Sequence, residues 1–84
     1  GLRIDLHQLE TTLRADGITA LCTADDERLA VVAAGQHDPV DVRRAAANAA
    51  GVPAAAVDAA VVEDFPTLPS GKPDYPAARA LAAC

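Results

Sequence analysis

The run "LAVVAA", residues 29–34, is apolar at every position. A half-exposed strand alternates polar and apolar side chains. An unbroken apolar run of this length instead predicts a strand covered on both faces. Layers must therefore lie above and below it, and the rest of the chain has to supply them. With 84 residues the chain can form one domain but not two. Hydrophobic residues make up 51%, with one Phe, one Tyr and no Trp or Met. The core must come from Val, Leu, Ile and closely packed Ala.

The other elements follow from local signals. "ITALCT" precedes the run and is joined to it by the acidic turn "DDE", residues 25–27, so the two strands read as an antiparallel hairpin. In "DLHQLETTLRADG", Asp5 can cap a helix, with Gln8 reaching back as a relaxed capping box. Leu6, Leu9 and Leu13 form its apolar stripe, and Gly17 stops it. Residues 1–4 read as a short extended segment. "DPVDVRRAAANAAG" has Asp38 as N-cap, Pro39 at the first helical position, Asp41 in the first turn and Gly51 as stop. Its face Val42, Ala46, Ala49 is small enough to lie close on a sheet. A third strand is expected at roughly 58–65, and a short helix capped by Asp74 closes the chain. The expected fold is α+β, in the order β(short)-α-β-β-α-β-loop-α, with helices on a small, mostly antiparallel three-stranded sheet.

Charge and composition exclude several functions. A formal net charge of −5 without any basic cluster argues against a nucleic-acid partner. No apolar run approaches the roughly 20 residues of a membrane span. Cys22 reads as a small buried hydrophobe and Cys84 as a terminal free thiol, which suits a reducing, cytoplasmic compartment. His7 and His37 have no partners at metal-binding spacing, and no alternating calcium ligands occur. The chain starts on Gly with no signal peptide, and reads as a piece cut from a longer protein.

One stretch remains, "FPTLPSGKPDYP", residues 65–76. It holds four of the chain's six prolines and its single lysine, Lys72. It is not a nucleotide-binding P-loop, because Pro66 and Pro73 occupy the positions that need Gly and Ser or Thr. Proline fixes its own φ and restricts the residue before it, so the loop is stiff, with Gly71 as its expected hinge. Ser70 reads as a turn former. Local features fit a solvated turn charge, or a cation held out for another surface. Taken alone they favour the former.

Two motifs change that balance. "FPTLPSGKPDYPAARAL" resembles the last conserved motif of the adenylate-forming ligases, roughly P-x-T-x-x-G-K-x-D-x-x-x-L. That superfamily includes acyl- and aryl-CoA synthetases, fatty acyl-AMP ligases, nonribosomal-peptide adenylation domains and luciferases. Pro66, Leu68, Gly71, Lys72 and Asp74 fall in place, with Leu81 as trailing leucine, while Thr67 and Pro69 are shifted by about one residue. "GLRIDLHQLE" is similar to the family's hinge-proximal motif, roughly G-x-R-I-E-x-x-E-I-E. There Gly1, Arg3, Ile4, Asp5, Leu9 and Glu10 correspond, and His7 and Gln8 depart. The resemblance spans nearly the whole chain.

It implies that residues 1–84 are the C-terminal subdomain of such a ligase, which forms an acyl-adenylate from a carboxylic acid and ATP and then passes the acyl group to a thiol. The N-terminal domain, holding most of the ATP, Mg²⁺ and acid pocket, would be a separate part. By the family pattern Lys72 is catalytic in adenylation, with Gly71, Pro73 and Asp74 positioning its loop. Gly1, Leu2 and Arg3 would line the tunnel for CoA or the phosphopantetheine of an acyl carrier protein. The alternative is a non-catalytic small α/β module for ligand sensing or protein interaction.

Overall fold

The computed structural model describes residues 4–24 and 28–83. The chain folds as α1 (Leu6–Ala15), β1 (Thr19–Ala24), β2 (Leu29–Ala34), α2 (Pro39–Ala50), a 3₁₀ turn (Ala54–Ala56), β3 (Val57–Val62) and α3 (Tyr75–Ala83). Each helix begins where the sequence places a carboxylate cap. Asp5 Oδ1 accepts from the Gln8 N–H at 3.1 Å and Asp38 Oδ1 from the Val40 N–H at 2.8 Å. Asp74 Oδ1 accepts from the Ala77 N–H at 3.1 Å. These bonds satisfy amide donors that the first helical turn leaves without partners. The capping box at Asp5 is one-sided, because the Gln8 amide donates instead to Thr12 Oγ1 at 3.4 Å. Helix α1 ends in a Schellman turn, with the Ile18 N–H bonded to the Leu13 carbonyl and the Gly17 N–H to that of Arg14.

Strand order is β1-β2-β3. Strands β1 and β2 pair antiparallel, with Cys22 opposite Val31. Strands β2 and β3 pair parallel, with Val31 opposite Ala59. The fold is α+β on a three-stranded sheet, as the sequence predicts, and the sheet is mixed. The parallel pair follows from α2: its 12 residues carry the chain back along the sheet, so β3 starts at the same end as β2. Strand β3 stops at Val62, short of the expected 65. The short strand expected at residues 1–4 lies outside the described residues except for Ile4, which is in no strand; the turn 25–27 also lies outside them.

Strand β2 is buried on both faces. Leu29, Val31 and Ala33 join Leu9, Leu13, Val42 and Ala46 in one core under α1 and α2. Ala30 and Val32 join Leu21, Ala78 and Ala82 in a second, smaller core under α3. One expectation for α2 is corrected: Val42, Ala46 and Ala47 are buried, whereas Ala49 is exposed. Ala49 lies near the end of α2 and lines an open groove with Thr12 of α1 and its C-cap Asp16. No helix among the described residues is long and apolar enough to cross a membrane.

Candidate functional site

Residues Pro66–Asp74 close on themselves as a short hairpin. Thr67 and Pro73 face each other in an antiparallel bridge. The Leu68 N–H donates to the Lys72 carbonyl at 2.8 Å and the Asp74 N–H to the Pro66 carbonyl at 2.9 Å. Both ladder bonds flank the bridge, so Pro73 occupies a position where no N–H is required. At the tip the Gly71 N–H donates to the Leu68 carbonyl at 2.8 Å, and Gly71 has φ +87°. A turn followed by a left-handed residue is the usual three-residue hairpin connection. Gly71, the hinge expected from the sequence, is the left-handed corner of this hydrogen-bonded turn.

Lys72 follows that corner and is exposed. Asp74 has two roles at the hairpin's base. Its N–H closes the hairpin and its carboxylate caps α3. Gly71, Lys72, Pro73 and Asp74 thus lie on one arm of a hydrogen-bonded hairpin. Gly1, Leu2 and Arg3, the expected thiol-tunnel side, lie outside the described residues.

The hairpin is rooted through a contact that sequence reading missed. The Tyr75 hydroxyl donates to Glu10 Oε2 at 3.1 Å, with Oε1 at 3.4 Å. The same Oε2 accepts the Cys22 N–H at 2.9 Å. Strand β1 is an edge strand, and one of its outward-pointing amides is thus satisfied by a carboxylate from α1. Glu10 links α1, β1 and the start of α3. A groove of about 360 Å³ opens here, lined by Leu6, His7, Glu10, Cys22, Thr23, Ala24 and Tyr75. Burial, followed by the Glu10 charge, the hydrogen bond to Glu10 and the nearby Cys22, raises the Tyr75 hydroxyl above its ordinary pKa. Burial, and secondarily Glu10, pushes the Cys22 thiol up to about 12, so it stays protonated and unreactive.

A signal for Glu10 was present in the sequence. It falls four residues after Leu6 and three before Leu13, so a carboxylate interrupts the apolar side of α1. Among the described residues, no group of three or more His, Cys, Asp or Glu side chains could hold a metal ion. No protein-family model matches the chain, and no curated protein or solved structure does either.

Proposed function

We propose that this chain is the mobile, lysine-bearing subdomain of an ATP-dependent acid–thiol ligase of the adenylate-forming type, working in the cytoplasm. The observation that carries the reading is Lys72 itself: an exposed cation at the end of a closed, proline-walled hairpin whose base caps a helix. A solvated turn charge has no need of so rigid a mount. A charge that must reach a fixed point on a second surface does.

Adenylation brings a carboxylate against the α-phosphate of ATP. The carboxylate oxygen forms a bond to phosphorus as the bond to pyrophosphate breaks. Both reactants are anionic, and a cation between the attacking and bridging oxygens offsets charge that builds up in the transition state. Lysine suits this role as a compact charge with three donors on a flexible stem. The flexibility lies in the side chain and the precision in the hairpin. In this reading metal, ATP and acid would be held by the N-terminal domain, as in the ligases the two sequence motifs resemble. After adenylation the subdomain would turn, withdraw Lys72 and present residues 1–3 to CoA or a carrier-protein thiol.

In the full-length ligase, Lys72→Ala should lower ATP–pyrophosphate exchange by about 10²–10³-fold, the typical cost of one transition-state donor. It should leave thioester formation from supplied acyl-adenylate largely intact. Normal exchange in the variant would refute the reading and leave a small α+β interaction module.

A further inference from the structure

We infer that Glu10 and Tyr75 are positioning residues for Lys72, and that the α1 carboxylate sets the direction in which the lysine hairpin points. The inference rests on the ligase reading above and adds to it the part that aims the lysine. Three observations carry it.

The first is the weak apolar attachment of α3. Among its described side chains the buried ones are Ala78 and Ala82, with Phe65 and Tyr75 half-buried beside them. Each alanine buries little area, so a hydrogen bond at the first residue of the helix adds to what orients it. The second is the place of Tyr75. It is the first residue of α3, directly after the Asp74 cap and three residues after Lys72. Asp74 joins hairpin to helix in one hydrogen-bonded unit, so an orientation imposed at Tyr75 passes to Lys72 through short, constrained backbone. The third is that Glu10 is itself anchored. Its Oε2 holds the Cys22 amide at 2.9 Å, so the tyrosine hydroxyl is referenced to the sheet and not to a free side chain.

An ionised acceptor gives a stronger bond than a neutral one. The titratable groups that line this groove with Tyr75 are Glu10 and His7 from α1 and Cys22 from β1. Only Glu10 is hydrogen-bonded to it among them. Misplacement of a catalytic group by about 1 Å can cost roughly 10²-fold in rate. A loosened hairpin would therefore slow chemistry without altering how ATP or the acid binds, because both would sit in the other domain.

The test uses Tyr75→Phe, which keeps the packed ring, and Glu10→Gln, which keeps the shape and removes the charge. In the full-length ligase each should lower kcat for pyrophosphate exchange by about tenfold or more. KM for ATP and for the acid should hold, and so should the rate of thioester formation from supplied acyl-adenylate. In the 84-residue chain, which has one Tyr and no Trp, tyrosinate absorbance reports Tyr75 alone. Glu10→Gln should bring its titration down toward the ordinary value. An unmoved titration, unchanged exchange in Tyr75→Phe, or an equal fall in both half-reactions would each overturn the inference. If Lys72→Ala abolishes exchange while Tyr75→Phe does not slow it, the positioning role fails and the ligase reading stands. If Lys72→Ala leaves exchange intact, both fail.

Discussion

At the scale of single residues, the lysine hairpin depends on backbone conformation more than on contacts. Gly71 has φ +87°, and a Cβ built there would meet nothing within 4 Å. Space is therefore not what demands glycine; the left-handed backbone is. Gly71→Ala should cost about 1–2 kcal/mol, the penalty of an L-residue in that region. Hydrogen exchange at the Leu68 and Asp74 amides, which close the hairpin, would read the loss locally. D-alanine, which favours positive φ, should restore protection. Equal damage from both enantiomers would mean that a steric contact, and not φ, sets the requirement. Glu10 shows the opposite case, a residue whose local helix would tolerate many side chains and whose role is entirely tertiary.

At the scale of elements, α1 and α2 are held differently from α3. Leu13 and Val42 are wholly buried, and Leu13 packs from α1 into the core that also receives Leu29 and Val31. Leu13→Ala should destabilise the chain by about 2–5 kcal/mol through lost transfer energy and a cavity. Asp38→Ala removes one cap bond and should cost only about 1 kcal/mol. Urea unfolding of the two variants checks the ranking, and a larger effect at Asp38 would contradict the packing described here.

At the scale of the whole molecule, the margin is small and pH-sensitive. Domains gain roughly 0.05–0.15 kcal/mol per residue, so 84 residues imply about 4–13 kcal/mol in all. Burial, and secondarily the Glu10 charge, pushes the Cys22 thiol up from its ordinary value near 9 to about 12. Its folded pKa is raised, so its contribution is intact below about pH 9 and is lost as pH climbs toward 12. The slope is about 1.4 kcal/mol per pH unit while the unfolded thiol is ionised and the folded one is not. Tyr75 shifts in the same direction and adds to the loss above about pH 10. The chain should therefore lose stability in alkali. Urea midpoints measured from neutral pH upward should fall in that window, and Cys22→Ala should flatten the slope whatever its effect on absolute stability. An unchanged slope would show that the buried thiol is not the group responsible.

What the sequence determined by itself was local. Asp5, Asp38 and Asp74 start helices because a short carboxylate satisfies amides two or three residues away, and Gly17 and Gly51 end them because a left-handed residue is needed there. The unbroken apolar run of β2 required cover on both faces, since every side chain on it seeks burial. Lys72 stood out by composition, and its neighbours announced a stiff loop. The tertiary structure alone decided the rest. The direction of β3 depends on the path of α2 across the sheet. The closed hairpin depends on amides pairing across the turn from Leu68 to Lys72. Glu10 and Tyr75, 65 residues apart, meet only because α1 and α3 converge on one edge of β1. No nearest-neighbour preference records such a meeting, because it is set by how layers stack and not by how adjacent residues turn.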